Sequence, residues 1–203
     1  MGRHTVFRYW TAALAEPLCD LIIEEGARSE LLKATLSSPK SRGEKSFVNE
    51  NVRKTDVVMW DSTHWTCGIT SHFINLANRE VWRYRLTLSQ GVQFGSYSDG
   101  GTYDWHKDEF DQPFGNEGPP EWRNQSRKLS AVVNLSASSD YEGGDLMLKD
   151  TYGNEVNDPK LNEKMRAKGT IIVFPAYTPH KVMPVHSGTR YSLVTWMLGP
   201  PFS

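Results

Sequence analysis

His106 and Asp108, two residues apart, are followed far along the chain by His180 and then by Arg190. These are the side chains whose types and spacing could do chemistry. A strand sends residues i and i+2 to one face, so His106 and Asp108 can aim at a common centre while Trp105 and Lys107 turn away. His180 from a later strand would add a second imidazole. Two imidazoles and one carboxylate occupy one face of an octahedral Fe(II) and leave the other positions open for reaction. A His-x-Asp pair alone carries little information, because a lone strand histidine is usually a hydrogen-bonded structural residue. The ordered set is harder to obtain by accident: Tyr97 upstream, the pair at 106 and 108, His180 after Pro179, and Arg190 after a Ser187-Gly188 turn.

The elements that must position these residues are mostly strands. Apolar and polar residues alternate from Val81 to Leu88, giving a first strand. Further strands are expected over 93–97, 103–108, 129–135, 145–149, 170–174, 180–185 and 190–197. Short strands separated by Gly, Pro and Asp clusters indicate a sandwich or barrel rather than βαβ units. Two helices precede them. Pro17 opens an apolar set, Leu18, Leu21 and Ile22, that Gly26 should close. Trp65, Ile69, Phe73 and Leu76 form a second helical stripe. The polar stretch 40–55 reads as a long loop. The insert 111–126, rich in Pro and Gly, reads as an ordered, adjustable loop beside the metal site.

Length and composition set outer bounds. A chain of 203 residues suits one domain, with helical support over about 1–80 and a strand-rich core over about 81–200. Basic and acidic side chains number 23 and 24, for a net charge of −1, so the chain shows no footprint for a phosphate backbone and no nucleic-acid partner is expected. Two cysteines, Cys19 and Cys67, are too few for a disulfide framework and fit a reducing, cytoplasmic setting. No apolar run reaches the length of a membrane span, and the first residues lack the apolar core of a signal peptide.

From about Val52 to Pro200 the chain resembles the iron(II)/2-oxoglutarate-dependent oxygenases, and within them the prolyl 4-hydroxylase type, including small bacterial and phage hydroxylases. The residues that carry the resemblance are Tyr97-x-x-Gly100-x-x-Tyr103-x-x-His106-x-Asp108, Arg127-Lys128-Leu129-Ser130, Tyr141-Glu142-Gly143-Gly144-Asp145-Leu146, Pro179-His180, Arg190-Tyr191-Ser192-Leu193 and Trp196. The resemblance implies a mainly β fold with flanking α-helices, the double-stranded β-helix or jelly roll, with the metal at its open end. It implies Fe(II) held by His106, Asp108 and His180. It also implies 2-oxoglutarate chelating that iron, with its far carboxylate on Arg190. Tyr97, Ser130, Asn134, Ser192 and Trp196 would line the cosubstrate pocket. Tyr103, Trp105, Trp122 and Arg127 are candidates for substrate contact, set against the plainer reading that edge aromatics in barrels simply pack.

The implied reaction consumes O2, decarboxylates 2-oxoglutarate to succinate and hydroxylates an unactivated C–H bond, with ascorbate as the family's usual reductant. The expected substrate is a proline within a peptide or protein. Asp108 favours hydroxylation, since a small residue there would leave room for halide. Nucleic-acid demethylases of the superfamily usually carry a second arginine six residues after the first, where this chain has Trp196. Two alternatives stay open. One is a hydroxylase of a free amino acid, using Arg127 or Asp104 for the charged ends of its substrate. The other is a non-catalytic jelly roll that binds metal or 2-oxoglutarate.

Overall fold

The computed structural model describes residues 6–35, 49, 51–116 and 118–202. Its elements run β1 (Arg8–Trp10), α1 (Glu16–Arg28), β2 (Leu32–Lys33), β3 (Arg53–Lys54), β4 (Asp56–Trp60), α2 (Trp65–Ala77), β5 (Leu88–Ser98), β6 (Thr102–His106), β7 (Ser126–Asn134), β8 (Tyr141–Gly143), β9 (Leu146–Leu148), α3 (Pro159–Arg166), β10 (Ile171–Pro175), β11 (His180–Val182) and β12 (Val185–Gly199). A large antiparallel sheet has the order β1-β10-β7-β12-β5-β4-β2, with β8 also paired to β12. A smaller one has the order β3-β6-β11-β9. The two open sheets form the jelly roll; neither is a closed barrel.

Strand alternation divides the apolar residues into two cores. Leu129, Val133 and Leu193 face away from the small sheet and pack with Phe94 against Ile22 of α1 and Ile74 of α2. Val132, Ile172 and Phe174 point the other way and meet Leu148 and Val182 of the small sheet. The space between the sheets is therefore apolar at one end only. At the other end the inward positions of β12 and β5 carry Arg190, Ser192 and Tyr97.

Several expected elements moved. The strand over 81–88 does not form: Asn78–Trp82 is a π-helical turn and β5 begins only at Leu88. The side chain of Asn78 holds both backbone groups of Tyr84, donating to its carbonyl at 2.9 Å and accepting from its N–H at 2.8 Å. Those groups are spent locally, although Trp82, Tyr84 and Leu86 still turn toward the core, which is what the alternation reported. Helix α1 continues past Gly26, with Cys19, Ile22 and Gly26 buried, while Leu18 and Leu21 are exposed. On α2 the buried face is Thr66, Cys67, Thr70, Ile74 and Ala77, so the Trp65, Ile69, Phe73 stripe lies at its margin. His64 caps that helix and bonds Glu25 at 3.0 Å. The expected loop 40–55 lies mostly outside the described residues and ends in β3. The 111–126 insert contains a short 3-10 turn at Pro120–Trp122. No helix among the described residues is long and apolar enough to cross a membrane.

Gly26 is required by packing rather than by helix termination. A Cβ there would lie 2.5 Å from the ring of Phe94, and both groups are buried. Gly26→Ala should therefore destabilise the fold by about 1–3 kcal/mol despite alanine's better helix propensity. A lowered urea midpoint checks this; an unchanged or raised midpoint would show that Phe94 is free to move.

Candidate active site

The register of β6 against β11 sets His106 directly opposite His180, and their ring centroids are 4.1 Å apart. The Nδ1 of His106 lies 2.8 Å from the carbonyl of Asp104, and that of His180 lies 2.9 Å from the carbonyl of Thr178. A carbonyl only accepts, so each Nδ1 carries the proton and each Nε2 presents a lone pair. Both lone pairs converge on Asp108, at 3.9 Å from Oδ1 for His106 and 3.6 Å from Oδ2 for His180. Asp108 stands beyond the end of β6, so a continuous strand does not place it. Its own N–H and that of Glu109 both donate to the carbonyl of Ala176 at 2.9 Å, and Ser130 Oγ donates to Oδ2 at 2.7 Å.

Charge states reinforce this geometry. Burial, then the neighbouring His180, push the His106 imidazole down to about 3, so it is neutral at neutral pH. Burial alone would raise the Asp108 carboxyl, but the groups around it, the Arg127 guanidinium and the Ser130 hydroxyl among them, outweigh burial and hold it at about 2. Nitrogen lone pairs facing a buried carboxylate repel it until a cation lies between them. Among the described residues these three form the only such cluster, with donor atoms all within 4.8 Å of one another. The donor set and the fixed tautomers fit Fe(II).

The cluster opens on a cavity of about 1040 Å3 that extends to Arg190. Alternate residues of β12, namely Arg190, Ser192, Val194 and Trp196, line it, and Tyr97 of β5 joins them from the position paired with Arg190. Arg190 is 3% exposed, lies 5.4 Å from the Tyr97 ring centroid, and has no hydrogen bond or ion pair among the described residues. Such a buried cation is costly unless an anion joins it. Gly144, at φ +65°, makes room for it: a Cβ there would lie 3.1 Å from Arg190 Cδ. Arg166 holds this turn in place by donating to Asp145 Oδ1 at 2.6 Å and to the carbonyl of Tyr141 at 3.1 Å.

The remaining expected site residues divide. Ser130 bonds Asp108 and does not line the cavity. Asn134 gives its amide hydrogens to the carbonyls of Ser136 and Arg166, and shares with Arg190 only a narrow cleft behind the cavity. Trp105 lies outside the cavity with Lys149 and Lys181 against its ring, and Trp122 packs on Phe114. The carboxylate of Asp104 is likewise outside the cavity and accepts from the Trp105 N–H.

Tyr103 and Arg127 do line it, and both are aimed by irregular register. Between Tyr103 and His106 the pairing with β11 slips, so the Tyr103 ring stacks on His106 at 3.4 Å. Opposite Leu198 the pairing of β7 with β12 skips Lys128, turning Arg127 inward beside Trp196. Sequence reasoning missed Arg53 and Gln93, which also line the cavity and are hydrogen-bonded at 3.0 Å. A buried glutamine in the apolar run of β5 was the available signal.

Two antiparallel sheets enclose a cluster of two histidines and one carboxylate that could hold a metal ion, and an arginine without an ion pair among the described residues lines the same cavity. Residues 92–198, more than half of the chain, match the profile of the 2OG-Fe(II) oxygenase superfamily, and the protein belongs to that superfamily. Curated relatives include a PKHD-type hydroxylase of Pseudomonas paraeruginosa, 29% identical over 125 residues covering 58% of this chain and 50% of the relative. Another, from Stenotrophomonas maltophilia, is 36% identical over 107 residues, 52% of this chain and 41% of the relative. The chain thus spans half or less of the length of these relatives. Among solved structures, a Pseudomonas putida prolyl-4-hydroxylase superposes with TM-score 0.68 at 21% identity, covering 95% of this chain and 92% of that one. A Trichoplax adhaerens prolyl hydroxylase, solved with a hypoxia inducible factor peptide fragment, gives 0.62 at 16% identity, covering 95% and 83%. At these identities the likeness is one of fold.

Ser130 gives the site a specific test. Ser130→Ala should leave all three ligands in place but free Asp108 to rotate, weakening Mn(II) or Fe(II) binding about 10- to 100-fold by calorimetric titration. His106→Ala should abolish binding. Unaltered affinity in Ser130→Ala would show that the backbone alone orients Asp108.

Proposed function

We propose that the protein is an Fe(II)/2-oxoglutarate-dependent hydroxylase acting on a proline within a peptide or protein, with residues 1–203 forming one catalytic domain. The observation that carries the reading is the pairing of two complementary sites in one cavity. His106, Asp108 and His180 turn three donor atoms toward one point, where a cation fits, and the buried Arg190 guanidinium fits an anion. A divalent metal and a dicarboxylate answer both at once. The prolyl hydroxylase fold of the solved neighbours, one of them with a peptide bound, supports the substrate class.

His106, Asp108 and His180 would hold the metal through two Nε2 atoms and the carboxylate. Arg190 would take the far carboxylate of 2-oxoglutarate, with Ser192 and Tyr97 as polar neighbours and Trp196 as an apolar wall. Iron bound there supplies the oxidising chemistry: O2 and 2-oxoglutarate are consumed, succinate and CO2 leave, and one oxygen atom enters the substrate C–H bond. No side chain is needed as a general base. The chain's own work is to aim the imidazole Nε2 atoms, orient the C–H bond and exclude water. Phe174, 4.7 Å from the His180 ring, closes the inner side of the site. Ascorbate is the expected reductant. A reducing cytoplasm suits the two buried free thiols, of which burial pushes Cys19 up to about 11.

Anaerobic addition of Fe(II) and 2-oxoglutarate to metal-free protein should produce the visible charge-transfer band of a chelated keto acid. Arg190→Lys should raise the 2-oxoglutarate requirement about 10- to 100-fold, because an ammonium lacks the planar fork that matches a carboxylate. Proline-containing peptides should then stimulate succinate release and gain one oxygen by mass. Folded protein without the band refutes the cosubstrate site. A band without turnover on any substrate points to a binding module.

A further inference from the structure

The charged groups around the cavity do not balance once the metal and cosubstrate are accounted for. Three guanidiniums line it, those of Arg53, Arg127 and Arg190. Arg190 is assigned to 2-oxoglutarate and Asp108 to the metal, so Arg53 and Arg127 remain. The other acids of the lining are Glu109 and Asp111; burial raises the Glu109 carboxyl while Lys128 and Lys107 act against that rise, and neither acid is ion-paired with Arg53 or Arg127 among the described residues. Neither Arg53 nor Arg127 is in an ion pair among the described residues. Arg53 donates to the neutral Oε1 of Gln93 at 3.0 Å, and its Nε is buried without a partner. Arg127 donates to the neutral Oε1 of Gln90 at 2.7 Å and to the Asp108 carbonyl at 3.3 Å.

Both cations stand beside the reacting centre. The Arg53 guanidinium lies 4.5 Å from the centroid of the Tyr103 ring, and that ring stacks on the metal ligand His106 at 3.4 Å. A stacked imidazole covers one face of Tyr103, so Arg53 takes the other and is one ring away from the ligand. Arg127 lies 3.9 Å from the Trp196 ring centroid and is close enough to Arg53 for each to feel the other's charge. Burial lowers Arg127 only to about 10, so it stays cationic. Arg127 feels the Asp108 carboxylate, a charge the oxygenase reading commits to the metal, whereas Arg53 has only a neutral acceptor; holding it so in a partly dry cavity is unfavourable until an anion arrives, and a carboxylate matches the forked donors of both.

We propose that the substrate carries a carboxylate close to the hydroxylated carbon, and that Arg53, assisted by Arg127, binds it. This rests on the oxygenase reading of the same cavity. The carboxylate has two possible sources, an acidic side chain or chain terminus of a peptide, and the α-carboxylate of a free amino acid.

The test uses the full chain loaded with Mn(II) and N-oxalylglycine, which are redox-inert, and measures binding of matched probes by calorimetry. The first pair is acetyl-Ala-Glu-Pro-Ala-amide against its Gln counterpart. The second is acetyl-Ala-Ala-Pro with a free carboxylate against its amide, and the third is L-proline against L-prolinamide. In at least one pair the carboxylate should bind about tenfold or more tighter, and the pair that responds identifies the source. Arg53→Gln should erase that preference and Arg53→Lys should restore part of it, with thermal unfolding confirming that both variants fold. If every pair binds within twofold, if no carboxylate probe binds, or if the preference survives Arg53→Gln, the proposal is overturned. The charge-transfer band of the unaltered protein is a separate readout, so failure of the oxygenase reading is distinguishable from failure of this one.

Discussion

Two imidazoles aim their Nε2 atoms at one buried carboxylate, and much of the surrounding structure exists to hold that contact together. The backbone does most of it. Carbonyls of Asp104 and Thr178 fix the tautomers, the carbonyl of Ala176 gathers the N–H groups that follow the end of β6, and the cross-strand pairing of His106 with His180 sets the separation of the rings. The only side chain among these anchors is Ser130, itself completely buried. A site so dependent on backbone is insensitive to surface sequence, which suits a fold shared with structures at about one-fifth identity.

Register irregularities then decide what surrounds the metal site. Regular alternation on β6 would send Tyr103 to the face opposite His106, and on β7 it would send Lys128 inward in place of Arg127. One slip in each strand reverses both outcomes. Lys128 is instead carried to the far side, where its ammonium lies over the ring of Phe202. The same devices thus load the cavity wall with an aromatic ring and a guanidinium while leaving the strand core intact.

This explains which parts were legible in the sequence. The clustering of His106, Asp108 and His180 and their nearness to Arg190 were readable because these residue types come in order, whatever the local register. Most strands were readable because they are short β-branched and apolar runs, buried on both faces of the large sheet, between Gly, Pro and Asp clusters. Trp105 and Trp122 were chosen for chemical type, but strand parity and the packing of Phe114 turn them away from the cavity. Asn134 shares Ser130's face as expected, yet its amide is consumed by carbonyls that only the folded chain brings near. The 81–88 alternation was real burial misread as strand, because a single side chain, Asn78, captured the backbone groups of Tyr84.

The Arg190 end of the cavity obeys a different logic from the end at His106, Asp108 and His180. At those three residues, order comes from hydrogen bonds that already exist. At Arg190 it comes from space: β12 brings the guanidinium inward, Gly144 removes the Cβ that would block its stem, and Arg166 locks the turn that carries Gly144. Nothing in the described structure neutralises Arg190, so its charge is held by packing alone. That arrangement is stable only if burial of the neighbouring apolar groups exceeds the cost of the unpaired cation. The inter-sheet core around Val132, Ile172 and Val185 lies where such compensation is needed. The Arg190 guanidinium is therefore held in place by the hydrophobic core behind it, and an anion that bound there would tighten the fold.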